Sequence, residues 1–387
     1  MRLFPSESGM RYQTKFPTPP DRAPGAFTCR ARWACGLAKL AAVRRYAILA
    51  EGFFGELPSK TAMGVIRYGR DAVVAVIDST RAGRNVREWL AEPVDIPIVA
   101  SLDEALVRRP NSLLIGIAPL GGRIPPDWRA TILRAIEARL DIVSGLHEFL
   151  ADDPEFVSAA ALHGVTITDA RRPPERMVVA AARQHRPTSR VVLTVGSDCA
   201  IGKMSVALEL RRSAIQQGLP AVFVPTGQTG IMIDGWGIAV DRVIGDFVQG
   251  SVEWLIEQAE DRGEWIFVEG QGSLDHPAYS SVTLGLIHGS RPQAMVLVHE
   301  PGREFHHGWE GRSRIKRLDR LVRIHEEVAA LVAPSTVAAV ALNTSTLDDS
   351  GARRAIAAAS AETGLPADDP VRFGAERLLD ALRAQLA

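Results

Sequence analysis

From Tyr46 onward, short apolar runs alternate with stretches of helical character. YAILAEG, AVVAVIDST, IPIVAS, SLLIGIAP, DIVSGL and VTITDAR are expected to form buried strands. Between them SLDEALVRR, DWRATILRAIEARL and DPEFVSAAALHG are amphipathic or rich in Ala, Leu and Arg, as helices are. Strands separated by helices predict βαβ units and a parallel sheet. The pattern restarts at Val191 with VVLTVGS, AVFVPT, WIFVEGQG, AMVLVHEP and VAAVALNT, and helices are expected over 202–217, 246–262, 313–331, 349–362 and 374–386. The intervening 173–189 is basic, holds Pro173, Pro174 and Pro187, and lacks a strong apolar period. It is expected to link a domain over 46–172 to one over 190–387. No repeat with a period of about 20–50 residues is present.

Composition narrows the class. The 387 residues suffice for two ordinary domains, and 46% apolar with 23% charged content fits a globular protein. Lys+Arg and Asp+Glu both number 45, which gives no support to a nucleic-acid or anionic-membrane partner. No apolar run approaches the length of about 20 residues that a membrane helix needs. The cysteines are Cys29, Cys35 and Cys199, an odd set without zinc spacing, so a reducing, cytoplasmic setting is expected. Residues 1–45 differ: Arg2, Arg11, Lys15, Arg22, Arg30, Arg32, Lys39, Arg44 and Arg45 face only Glu7 and Asp21. This basic leader reads as a targeting segment or, with TKFPTPPDRAPG inside it, as a disordered extension.

Chemistry concentrates where strands end. Gly196 closes a β-branched run, and Gly202-Lys203 opens a helical one. Free N–H groups and the dipole at a helix N-terminus attract phosphate, and a lysine adds a full charge. Gly196, Ser197, Asp198, Cys199, Ala200, Ile201, Gly202, Lys203, Met204 and Ser205 are therefore the candidate phosphate loop. Five residues separate the glycines where the common Walker A motif has four, and Met204 stands where that motif places Ser or Thr. Methionine cannot ligate magnesium, and Ser205 lies about 100° further round a helix. Cys199 is either a nucleophile activated by the helix end or a small residue packed under the loop.

PTGQTGIMIDGWG follows the next strand, where α/β folds bind ligands. Thr226, Gln228, Thr229 and Gly230 are read as a polar substrate loop, and Asp234 and Asp241 as acids for a cation, for a substrate amine or for solvent. IFVEGQGSLDHP occupies the Walker B place. Glu269 is suited to hold a metal, orient water or deprotonate an amine, and His276 to act as a base near neutral pH. His299, His306 and His307 lack metal-ligand spacing, so no metal is expected. Arg303 has the fork to grip a carboxylate or phosphate. Asn343, in LNTSTL, ends the fifth strand where relatives of such loops contact a base.

The longer loop with Asp198 and the strand ending Val-Glu-Gly resemble dethiobiotin synthetases. Taken in order, SKTAMGVIRYG, VIDSTRAGR, GSDCAIGKM, PTGQTGIMIDGWGIAVDRVIGDF and VEGQGSLDHP resemble, over roughly 46–386, a narrower group. This is the D-glutamate N-acetyltransferase (DgcN-type) family of dethiobiotin-synthetase-like P-loop proteins. The resemblance implies an α/β protein, an N-terminal Rossmann-like parallel-sheet domain followed by a P-loop NTPase-like domain. It implies acetyl-CoA as co-substrate, with a CoA phosphate on the loop, and an amino acid, D-glutamate, as acceptor. Methionine after the lysine is shared by that family and suits a phosphate that is gripped and not cleaved. A homo-oligomer is the expected assembly. An ATP- and Mg-dependent ligase or kinase, and a non-catalytic nucleotide-binding module, are the competing expectations.

Overall fold

A computed structural model describes residues 43–90, 93–117 and 122–387. Most of the basic leader lies outside the described residues. Arg44 is buried and Arg45 opens the first strand, so the first domain starts slightly before Tyr46.

The N-terminal sheet contains β1 (Arg45–Leu49), β2 (Ala72–Ile77), β3 (Ile98–Val99), β4 (Ser112–Ile115), β5 (Asp141–Ser144) and β6 (Ile167–Asp169). All pairings are parallel, in the order β3-β2-β1-β4-β5-β6. Its helices are α1 (Lys60–Tyr68), α2 (Leu102–Leu106), α3 (Trp128–Glu137) and α4 (Pro154–His163). Local chemistry sets their ends. Asp153 accepts from the N–H groups of Glu155 and Phe156, Pro154 takes the first helical position, and Gly164 closes α4 at φ +68°.

The second sheet contains β7 (Arg190–Gly196), β8 (Ala221–Val224), β9 (Trp265–Val268), β10 (Ala294–His299), β11 (Thr336–Leu342) and β12 (Ala367–Asp368). It is also wholly parallel, in the order β12-β11-β10-β7-β9-β8. Around it lie α5 (Lys203–Gln216), α6 (Gln228–Asp234), α7 (Val248–Glu260), α8 (Ser280–Ser290), α9 (Leu318–Ala330), α10 (Asp349–Thr363) and α11 (Glu376–Gln385). β7 is central and buried almost throughout, so the loop after it sits in mid-sheet at the carboxyl end. β9 approaches β7 so closely at its end that a Cβ on Gly270 would lie 1.6 Å from the carbonyl oxygen of Thr194.

The expected α/β fold with two parallel sheets is present. Four elements were not among those expected: α1, α6, inside the expected polar loop, α8, and the two-residue β12. The helix expected from residue 313 starts only at Leu318. Residues 173–189 form no helix or strand and run along α7. There Glu253 accepts the N–H groups of Ala181 and Arg183, and Glu260 that of Arg186. Among the described residues no helix is long and apolar enough to cross a membrane.

The two sheets share one apolar cluster that joins Val65 of α1 to Ile231 and Met232 of α6. At its edge the Thr61 and Thr229 hydroxyls are 3.0 Å apart. Arg171 donates to the carbonyl of Gly145 at 2.7 Å and pairs with Asp241. The carboxyl end of the second sheet is thereby faced by α1 of the first.

Candidate active site

The turn after β7 is a nest of constrained backbone. Gly202 has φ +105°, a value that glycine adopts without steric cost, and Ala200 has φ +55°. A Cβ on Gly196 would crowd the Ile201 side-chain end at 2.9 Å and the Lys203 Nζ at 3.1 Å. Lys203 is buried and donates to the carbonyl of Asp198 at 2.5 Å, which leaves two of its three N–H donors for a ligand. Burial lowers its pKa to about 8, opposed by Cys199 and Asp198. The ammonium therefore stays mostly charged at neutral pH.

The loop is clamped from outside. The buried carboxylate of Asp198 accepts from Cys199 N at 2.7 Å, His307 N at 2.9 Å and Arg303 Nη1 at 3.0 Å. Burial raises its pKa, but these donors outweigh that effect and hold it below the usual carboxylate range. Arg303 also donates to the carbonyl of Cys199 at 3.1 Å and pairs with Glu300 at 2.5 Å. Its fork is thus committed to the loop, a correction to the expectation that it grips substrate. Ser197 shares a 2.9 Å hydrogen bond with His299 Nδ1. Met204 turns toward the other domain: its Cε would lie 3.1 Å from a Cβ on Gly64 of α1. The methionine fills the domain junction, and Ser205 lies beside Tyr68.

Glu269, buried at the end of β9, is the second centre. One carboxylate oxygen accepts from Thr226 N at 2.9 Å and Gly227 N at 3.0 Å. The same oxygen would be 2.5 Å from a Cβ on Gly230, so only glycine fits there. Burial raises its pKa to about 7, with the two N–H donors and Lys60 opposing. A carboxyl poised there exchanges protons readily with an amine near neutral pH.

The expected substrate loop is consequently a supporting helix. Thr226 spends its hydroxyl on the carbonyl of Glu269 at 2.7 Å. The Gln228 side chain packs on Gly145, Thr229 meets Thr61, and Gly230 makes room for Glu269. Asp234 is held by Arg211 at 2.5 Å and by the Trp236 indole at 2.7 Å. These residues position the carboxylate and the domain junction, a second correction.

His276 is also corrected. It is 1% exposed, packed among Tyr279, His306 and Trp309. Its Nδ1 accepts from Ala278 N at 3.0 Å, so the neutral ring carries its hydrogen on Nε2. Nε2 faces Asp198 at 3.7 Å without a hydrogen bond. Burial lowers its pKa, against the pull of Asp198. A ring with hydrogen on Nε2 and Nδ1 engaged has no free lone pair for a substrate proton. The same geometry bears on Asp198, Cys199 and His276, whose ligand atoms lie within 4.8 Å of one another. The nitrogen facing Asp198 is Nε2, which would have to give up its hydrogen to ligate a metal, against the N–H that Ala278 donates to Nδ1. Burial, then Asp198, raises the Cys199 thiol above its usual pKa, which disfavours a thiolate nucleophile.

Lys60 was not singled out: SKTAMG, at Ser59–Gly64, reads equally well as a segment that closes over the site and as a helix start, and nothing local says which surface that helix faces. In the fold, Lys60 begins α1 at the cleft, next to Thr61 on Thr229. A concavity of about 620 Å³ lined by Arg190, Trp265 and Leu386 lies at the opposite, amino ends of β7 and β9 and includes none of these groups.

Residues 178–379 match the P-loop domain of a family described as a domain of unknown function, DUF1611, and residues 79–173 match its Rossmann-like N-terminal domain. A D-glutamate N-acetyltransferase of Tritonibacter scottomollicae is 35% identical over 337 residues, which are 86% of this chain and 97% of that protein. The chain belongs to the DUF1611 family. A second D-glutamate N-acetyltransferase, from a Pseudoalteromonas species, is 35% identical over 280 residues, covering 72% of this chain and 83% of that one. A crystal structure of a DUF1611 protein from Anabaena variabilis superposes with a TM-score of 0.84 at 41% identity, covering 88% of this chain and 99% of that one. Both halves of the DUF1611 architecture, the Rossmann-like and the P-loop domain, are thus present here in that order.

Proposed function

We propose that this DUF1611 protein is an N-acetyltransferase that moves an acetyl group from acetyl-CoA to the amine of an amino acid, with D-glutamate as acceptor. The carrying observation is Glu269, a buried carboxyl with a pKa near 7 beside a phosphate loop. The curated names of the two relatives support the same chemistry.

The loop from Gly196 to Ser205 would hold a phosphate of the donor, through Lys203 and the N–H groups around the start of α5. Glu269 takes a proton from the acceptor ammonium. The free amine then attacks the thioester carbonyl, so that the N–C bond forms and the C–S bond breaks. The thiolate leaves and takes up the second amine proton to become the free CoA thiol, and Glu269 releases the first to solvent. No phosphoanhydride is cut, so no magnesium-ligating hydroxyl is needed beside Lys203. The Met204 side chain in the domain junction is consistent with that. CoA release from acetyl-CoA with D-glutamate tests the proposal. Absence of release with any amino acid, or Mg-ATP-dependent ADP formation with the acceptor, would overturn it in favour of the binding module or the ligase.

A further inference from the structure

The phosphate loop and Glu269 both belong to the second domain. Lys60 and Arg171 are cations that the first domain brings toward them. α1 is fixed against α6 by the Thr61–Thr229 contact, and against α5 by Met204 packing on Gly64. Thr229 lies two residues beyond Gly227, whose N–H holds Glu269. The first turn of α1 therefore spans the space between the phosphate loop and the carboxylate.

Lys60 differs from the other cations there. Arg303 is consumed by Asp198 and Glu300, and Arg171 by Asp241 and the carbonyl of Gly145. Lys203 is anchored to its own loop. Among the described residues Lys60 has no hydrogen bond or ion pair, and it is solvent-exposed. The charged and titratable groups acting on it are Arg171, Cys199, Glu269 and Asp241. An exposed ammonium without a counter-ion, on the helix that packs beside the Glu269 support, matches an amino acid: its amine goes to the proton acceptor and its carboxylate to the ammonium.

We infer that Lys60 binds the carboxylate of the acceptor amino acid, making the first domain part of the acceptor site. This inference rests on the acetyl-transfer reading. A phosphate of the donor presents similar anionic oxygens, so the test separates the two sources. Wild-type, Lys60→Met and Lys60→Arg full-length proteins are compared in KM for D-glutamate, KM for acetyl-CoA and thermal shift with D-glutamate alone. Lys60→Met should raise KM for D-glutamate about tenfold or more, leave that for acetyl-CoA within about twofold, and abolish the thermal shift. Lys60→Arg should recover part of both losses. A rise confined to the acetyl-CoA KM would assign Lys60 to the donor and overturn the inference, as would unchanged constants. If the wild type releases no CoA, the acetyl-transfer reading fails, and the thermal shift still decides the role of Lys60: loss in Lys60→Met upholds carboxylate binding. Absence of any shift in the wild type as well would overturn both.

Discussion

Each sheet begins with a central strand, a loop and a helix, yet the two units are used in opposite ways. After β7 the loop faces outward, its Asp198 braced by Arg303 and His307 from behind and its Lys203 available. After β1 the loop is closed by its own sheet. Asp78, at the end of β2, stands where an acid of a dinucleotide-binding fold would hold a ribose hydroxyl. Here it accepts from Gly52 N at 3.2 Å, Phe54 N at 3.0 Å, Thr80 N at 3.0 Å and Arg81 at 3.0 Å. Its ligand capacity is spent on the chain itself. The crevice between β1 and β4 is filled as well, since Ala62 N donates to the carbonyl of Gly116 at 2.9 Å and a Cβ on Gly116 would stand 3.0 Å from Ala62. Strand order differs between the two sheets, β2 lying beside β1 but β9 and not β8 beside β7, and α1 packs into the crevice of the first while it faces that of the second.

The comparison breaks most sharply at Lys203. Lys203→Ala should lower kcat/KM for acetyl-CoA about 1000-fold with an unchanged far-UV circular dichroism spectrum, because a preformed cation is lost where charge must be held. A small effect would mean that the β7 loop is no more a ligand site than the β1 loop.

Glu269 comes next. Glu269→Gln should cost at least about 100-fold in kcat, the scale of a lost general base. A base must be ionised, so wild-type activity should fall as pH drops below about 7, and this limb should vanish in the variant. Stability runs the other way. The folded carboxyl keeps its proton up to about 7 while the unfolded one loses it near 4.5, so the native state binds more protons in that window. Unfolding free energy should therefore decline from pH 4.5 to about 7, and less so in Glu269→Gln.

Asp78→Ala probes the closed loop. It strands several buried donors and should lower stability by about 3 kcal/mol, read as a reduced urea midpoint. If binding of acetyl-CoA falls while the midpoint holds, the β1 loop is a ligand site and the contrast fails.

Met204→Thr is the mildest. It removes the contact at Gly64 and should cost about 1 kcal/mol in thermal unfolding, without creating ADP-forming activity. Gain of Mg-dependent hydrolysis would show that a hydroxyl beside Lys203 is all that separates this loop from a nucleotide-cleaving one.

Much of this was legible along the chain. The strand cores, the phosphate loop and Glu269 follow from patterns within a few residues, since a β-branched run ending in glycine and a helix opening on lysine fix their own backbone. α6 was not legible, because Gln228, Thr229 and Gly230 resemble turn residues and are held helical by α1 and Glu269 packed on them. Arg303 and His276 were misread, and Lys60 was not singled out, for one reason: the groups that act on them lie 105, 78 and over 130 residues away, at Asp198, Asp198 and Cys199. The sequence by itself determined two α/β units, a phosphate-type turn and an acid at the next strand end, because periodicity and glycine act locally. Only the tertiary structure decided which crevice stays open, which histidine nitrogen bears hydrogen and which lysine reaches across the domains. Those outcomes depend on which buried donors and acceptors meet, and packing alone sets that.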